Sequence, residues 1–536
     1  MISVRTALPE GVVLAYTSYL GDRAYARSWM FRQGEDERGF AHIVFLCETD
    51  LESIGLGEPL TRGRANLFCD SDLRPHWYCA ESETSIIEAS FDGGICLRLP
   101  DGSLLNLSEP MPDAIAGGHV GQLALLLRVH DVLLQKTCQF KLFSVEAATT
   151  FKYSLTLQAS GKSGQCYFRS SFEEEITLGD DGWIARINTP KEGIVSRREP
   201  LPLPSWKNSR LIRDVPYRRY SPKAAHTFRL EDIEIPGPVV PIGATLTIPR
   251  GRGPHPAAIF IGGSGVHDRH GISGRIDLGS HEILDTLSEE GWIGVRFDTR
   301  GAGNTKVGSD FLTAGLNTVI EDASAVLAYA TQHPEVDSRK VALIGHSQGG
   351  LVAMDLSATR SDILALALLA TPGRPAEEVL NDQIVNRGEW LGLNEEQIRL
   401  QLADFHEFIS LVRSNADWNT AQIPERLFYA RRARFWYADH LTRNPTEMIA
   451  RVKCPVLVCQ GGKDFQVSVR DARLLEAAAL RAGVVCESAI FEDLDHLFKT
   501  STAEPSIADY YKDRPVSSAL VTSVITFLST AASFVG

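Results

Sequence analysis

The run Gly345-His346-Ser347-Gln348-Gly349 sets a serine between two glycines, directly after the apolar stretch 341–344 and before a helical pattern over 349–358. A serine hydroxyl is a weak nucleophile until a base removes its proton, so it must protrude from a sharp strand-to-helix turn that a base can reach. Small residues at 345 and 349 permit such a turn. Glycines flank serines by chance in many loops, but between a buried strand and a helix the pattern points to a nucleophile elbow with Ser347 at its tip.

A nucleophile of this kind needs an acid and a base that follow it in the order Ser, Asp or Glu, His, each just beyond a later strand. The apolar run 454–459 leads into Gln460-Gly461-Gly462-Lys463-Asp464, which nominates Asp464 as the acid. The run 486–491 leads into Glu492-Asp493-Leu494-Asp495-His496, which nominates His496 as the base. Taken singly, Asp464 reads as a turn aspartate and His496 as a loop histidine. Three residues in the right order, each at a strand end, are hard to obtain by accident. Asp493 and Asp495 compete for the acid's role, but their closeness in sequence to His496 makes the geometry harder.

The anion formed when a serine attacks a carbonyl also needs preorganised donors: the backbone N–H after the nucleophile and one from the loop after an early strand. Gln348 supplies the first. Ile261-Gly262-Gly263-Ser264-Gly265 supplies the second, assigned to Ser264 N–H, with Gly263 letting the backbone approach a substrate closely. Phosphate binding by these glycines is disfavoured, since neither G-x-G-x-x-G nor a Walker lysine is present. His267, Asp268, Arg269 and His270 follow at once. They read either as pocket lining, with His267, Arg269, Gly263 and His346 as the candidates, or as hydrogen-bonded loop scaffolding, the favoured reading; no set of metal ligands is defined. Asp298-Thr299-Arg300-Gly301 reads as a structural turn, and Cys459 as core.

These residues need a parallel sheet to bring them together. From about residue 228 a hairpin-like pair (228–235, 244–248) precedes apolar strands expected at 257–261, 293–297, 341–344, 364–369, 456–459 and 488–491, interleaved with helices such as 317–330 and 349–358. Continuous apolar strands alternating with helices imply a mostly parallel sheet covered on both faces. Between 372 and 450 the alternation lapses into helical stretches carrying Trp390, Phe405, Phe408, Trp418, Phe428, Phe435, Trp436 and Tyr437, expected to form a lid over the carboxyl ends of the strands.

The first two hundred residues differ in texture. Phe151, Tyr153, Leu155 and Leu157 alternate with Lys152, Ser154 and Thr156, one run is expected from 166 to 176, and a turn at 179–182 leads to another strand at 183–187. A β-rich, antiparallel accessory domain over 1–225 is expected, closed by the proline-rich linker at 199–204, with a catalytic domain over 226–536. It is expected to shape the pocket entrance or to mediate a homodimer.

Bulk properties agree. At 536 residues the chain exceeds one ordinary core, which stops growing at roughly 250–300 residues. A net charge of −13 gives no general attraction for nucleic acid or anionic lipid. Nine scattered cysteines without a C-x-x-C pair, after a start lacking a signal-peptide pattern, favour reduced thiols and a cytoplasmic setting. The apolar segment 516–535 carries Ser and Thr along one face and reads as a closing helix rather than a membrane anchor.

With these motifs in place, residues 226–536 resemble the α/β-hydrolase esterases related to esterase D, to dipeptidyl-aminopeptidase-like proteins and to acyl-CoA thioesterases. The likeness rests on 244–249, Gly263-Ser264-Gly265 with Asp268-Arg269, Asp298-Thr299-Arg300-Gly301, Gly345-His346-Ser347-Gln348-Gly349, Gly462-Lys463-Asp464 and Asp495-His496-Leu497-Phe498-Lys499. Gly262 departs from it, since many relatives carry histidine there. The resemblance implies the α/β-hydrolase fold and acyl transfer to Ser347 with His496 as base, on a small-molecule acyl substrate and without cofactor or metal. Carboxylic esters come first and thioesters second. A biosynthetic acyltransferase or cyclase, a peptidase, and a binding protein that has lost turnover are the rivals.

Overall fold

In a computed structural model the described residues are 2–58, 60–116, 120–132, 135–160, 165–212, 218–418, 423–427, 430–501 and 505–535. They form two compact units, one of Met1–Pro216 with Arg387–Ala433, the other of Tyr217–Asn386 with Arg434–Gly536. The second interval therefore divides the stretch expected as a lid. Its middle belongs with the β-rich unit because Leu393 is buried there with Leu20 and Ile54, and because Lys191 Nζ donates to Asp404 Oδ2 at 2.6 Å. Phe428 lies outside the described residues.

The first unit is built on a fifteen-stranded sheet whose neighbours pair antiparallel, except Thr137–Ser144, which runs parallel to Ala114–Ala116. The strand Thr149–Ser160 contains the expected alternation, with Tyr153 and Leu155 buried. Two details differ from the sequence reading. The run expected from 166 to 176 is a hairpin of Cys166–Ser170 and Glu175–Leu178, because Glu173 turns the chain at φ 64° and Ser170 Oγ accepts from the backbone N–H groups of Phe172 and Glu174. A helix at Val120–Val129 was not anticipated. Its apolar run, with Ala124, Leu125, Leu126, Leu127 and Val129 all buried, lacks the amphipathic period that marks a helix in sequence.

The second unit is built on an eight-stranded sheet: β1 (Phe228–Ile235), β2 (Ile242–Pro249), β3 (His255–Ile261), β4 (Ile293–Phe297), β5 (Val336–His346), β6 (Ile363–Leu369), β7 (Val456–Gly461) and β8 (Cys486–Phe491). Their spatial order is 1-2-4-3-5-6-7-8. β2 is antiparallel to β1 and β4, and every pair from β4 through β3 to β8 is parallel. Alternate side chains feed two cores. Val341, Leu343, Val456 and Val458 enter one; Ala342, Ile344, Leu457 and Cys459 enter the other. Strands apolar on both faces need helices on both faces, and each buried Leu or Ile contributes about 1.5–3 kcal/mol there.

Helix α1 (Ser280–Glu289) and the final helix α2 (Ser518–Ser533) pack into the second core through Leu284, Leu287, Leu520, Val524 and Leu528. Among the described residues no helix is long and apolar enough to cross a membrane.

Candidate active site

β3, β5, β7 and β8 run parallel, so the loops that leave their carboxyl ends share one edge of the sheet, where such folds bind ligands. Ser347 follows β5 and precedes the helix Gln348–Thr359. Its backbone sits at φ 54°, ψ −121°, a conformation costing about 1–3 kcal/mol for a residue with a side chain. Ser347 N–H donates to Leu369 O at 2.8 Å, which ties the turn to the neighbouring strand. The turn is so tight that a Cβ at position 349 would stand 2.1 Å from Ile261 O. Only glycine fits there.

His496 lies five residues beyond β8 and is buried. Its Nδ1–H donates to Asp464 Oδ2 at 2.7 Å, leaving Nε2 as the free face of the ring. Asp464 is held from three further directions: Oδ1 accepts from Gln466 N–H at 2.7 Å and Val467 N–H at 2.9 Å, and Oδ2 accepts from Gln460 Nε2 at 2.8 Å. The two loops are joined in their backbones as well, through Lys463 N–H to Leu494 O at 2.9 Å. Neither competing aspartate is placed to do the same. Asp493 is exposed, and Asp495 is spent on the N–H groups of Leu497 and Lys499 and on Arg514 Nη2 at 2.6 Å.

His346, next to Ser347, is buried, and its Nε2–H donates to the carbonyl of His496 at 2.8 Å. The two rings stand 4.8 Å apart. Burial, reinforced by the neighbouring His496, pushes the His346 imidazole down to about 3, so it is neutral at pH 7.

Gln348 opens its helix, so its N–H has no intrahelical acceptor. Together with Ser264 and Ser347 it lines a cavity of about 90 Å³. Gly263 stands against the elbow, a Cβ there lying 3.2 Å from that of Ser347. His267 lies behind this loop: its ring fills the space a side chain at 262 would need, with Cε1 at 2.2 Å from such a Cβ. The departure at Gly262 is thus matched by an imidazole arriving from position 267. Arg269 is away from the cavity, in a buried fork on Asp298, with Nη2 to Oδ2 at 2.7 Å and Nη1 to Ala244 O at 2.7 Å. That is a scaffolding position, not a pocket wall.

Further walls come from 372–386 and 434–450, including Val379, Leu380, Trp436, His440 and Arg443, and from Leu351, Gln466 and Val467. Trp436 Nε1–H donates to Gln348 Oε1 at 2.8 Å. Arg374 also lines the cavity, pinned by Asp471 (Nη2 to Oδ2, 2.9 Å) and Asp382 (Nη1 to Oδ2, 2.7 Å). Sequence reasoning missed Arg374, His440 and Arg443, because nothing in the composition of 372–450 marks which of its polar residues face a cavity. Among the described residues no cluster of His, Cys, Asp and Glu is arranged to hold a metal ion.

The family model of S33 serine aminopeptidases matches residues 266–498. Esterase EstD of Thermotoga maritima is 27% identical over 303 residues, covering 56% of this chain and 68% of that protein. Among solved structures, Est1E of Butyrivibrio proteoclasticus, determined with ferulic acid, is 17% identical with a TM-score of 0.36 and covers 56% of this chain and 99% of its own. A dienelactone hydrolase from Klebsiella pneumoniae is 14% identical with a TM-score of 0.35, covering 57% and 98%. The family model does not reach residues 1–265. The chain is therefore an enzyme, and its second unit is similar in sequence to S33 serine aminopeptidases and to esterase EstD.

Proposed function

We propose that this enzyme hydrolyses small carboxylic esters, and thioesters second, through an acyl-enzyme on Ser347. The observation that carries this reading is the pairing of a strained serine elbow with a histidine whose Nδ1–H is fixed on Asp464, both at one edge of the sheet. His496 Nε2 takes the Ser347 proton as Oγ attacks the carbonyl, and the N–H groups of Gln348 and Ser264 receive the developing oxyanion. The tetrahedral adduct expels the alcohol or thiol, which takes the proton from His496. Water then attacks the acyl-enzyme, again with His496 as base, and releases the acid and the serine. The small cavity supports short acyl groups, and the segments 372–386 and 434–450 are read as its lid.

An aminopeptidase is the second reading, favoured by the family description. Its substrates present an α-ammonium group, which calls for a carboxylate in the pocket. The residues lining this cavity include two arginines and neither Asp nor Glu, so esters are preferred. Turnover of p-nitrophenyl acetate against alanine p-nitroanilide tests the choice, with Ser347→Ala as control. Faster Ser347-dependent cleavage of the anilide would reverse it.

A further inference from the structure

One atom in the cavity wall has no use in the chemistry above. His440 is 4% exposed, lines the same cavity as Ser347, and its Nδ1–H donates to Trp436 O at 2.8 Å. That bond fixes the tautomer and leaves Nε2 as an acceptor. Nε2 is buried and has no hydrogen-bond partner. Burial pushes this imidazole down to about 4, so at neutral pH the lone pair is present. The ring is held in place by stacking on Trp436, with centroids 3.7 Å apart, and Trp436 is itself tied to Gln348 next to the nucleophile.

A buried acceptor left unpaired costs about 1–3 kcal/mol, so each such group in a native protein calls for an explanation, and in a cavity wall a bound ligand supplies one. Arg443, on the same cavity wall, presents the complementary case: Nη1 donates to Asp439 O at 2.7 Å and Nη2 to Asn317 Oδ1 at 2.6 Å, while Nε is buried and unpartnered. The residues of one wall thus carry an idle acceptor and an idle donor. A hydroxyl group can donate to the first or accept from the second, whereas an alkyl chain can do neither.

We infer that His440 is a specificity-determining residue whose Nε2 accepts a hydrogen bond from a substrate hydroxyl, so that the preferred substrates are hydroxylated esters rather than plain alkyl esters. This rests on the proposed ester hydrolysis for its turnover assay, but the selection itself is one of binding. A site built to bond a hydroxyl rejects the analogue lacking it, because its own polar groups are then left unpaired.

Two substrate pairs locate the hydroxyl: p-nitrophenyl 3-hydroxybutyrate against p-nitrophenyl butyrate for the acyl side, and 2-hydroxyethyl butyrate against ethyl butyrate for the leaving-group side. The expected result is at least a tenfold preference in kcat/KM for the hydroxylated member of one pair. His440→Phe, which keeps a stacked ring and removes the acceptor, should bring that ratio near one. A ratio near one in both pairs with the native enzyme overturns the inference, as does a preference that survives His440→Phe. Protection of Ser347 from a fluorophosphonate by 3-hydroxybutyramide against butyramide, and by N-(2-hydroxyethyl)acetamide against N-ethylacetamide, reads the same selection without ester turnover. A hydroxyl preference there, with no ester cleaved, would remove the ester reading and leave His440 its role; equal protection within both pairs would remove the role and leave the ester reading standing.

Discussion

His346 and His496 are joined by a hydrogen bond from the Nε2–H of the first to the backbone carbonyl of the second, 2.8 Å long. The residue that precedes Ser347 thereby holds the main chain of the residue proposed as base, which ties the elbow to that loop. Removing a donor from a buried carbonyl costs about 1–3 kcal/mol. His346→Ala should therefore lower kcat by about ten- to a hundredfold with little change in KM, since 1.36 kcal/mol is one power of ten. His346→Gln, which can restore an N–H at a similar reach, should recover part of the loss. Steady-state kinetics on p-nitrophenyl acetate decide it, and unchanged kcat in the alanine variant would show that the bond positions nothing.

The three aspartates near the base should separate by phenotype. Asp464→Asn removes the acceptor that sets the His496 tautomer, and turnover should fall by about four powers of ten with the fold intact. Asp495 instead pairs with Arg514, the aspartate side chain being 1% exposed. Asp495→Asn should cost stability, about 3 kcal/mol in chemical unfolding. Asp493→Asn should alter neither, and a large activity loss there would move the acid's role.

Acid should destabilise the protein in a defined window. His346 and His270 are each pushed down to about 3, and His440 to about 4, in every case mainly by burial. Unfolded histidines bind protons near 6.5, whereas these three stay neutral in the folded chain until well below that. The unfolded state thus takes up more protons between about 6.5 and 3, and stability present above 6.5 is lost as pH falls through that range. Urea midpoints measured from pH 7.5 to 4 should decline, less steeply in His346→Gln. A flat profile would contradict the buried neutral rings.

Gly349→Ala drives a methyl group to 2.1 Å from Ile261 O. Since Ile261 ends β3 just before the oxyanion loop, the elbow and that loop must separate. Labelling of Ser347 by a fluorophosphonate should fall at least a hundredfold, with a lower melting temperature. Gly392→Ala, where a Cβ meets open space but φ is +71°, should affect melting modestly and labelling not at all.

The local sequence determined a good deal. Apolar runs with the parallel-sheet signature marked the central strands β3 to β7 within about five residues, since a strand buried on both faces has little choice of composition. That Ser347, Asp464 and His496 each stand just beyond a strand was legible because each follows such a run. Chemistry carried by turn residues at strand ends leaves a linear trace.

Other features were decided only by the tertiary structure. That Asp464 rather than Asp493 or Asp495 meets His496 depends on how two loops from adjacent strands pack, a matter of distances across the sheet edge that sequence order does not encode. Arg269 left the pocket because Asp298 and Ala244, far away in the chain, offered it a buried fork. The interval 372–450 looked uniform in composition, yet 387–433 lies with the β-rich unit and its flanks line the cavity. Helices of similar polarity differ only in which apolar surface they find, and that surface exists only once the rest of the chain has folded around it.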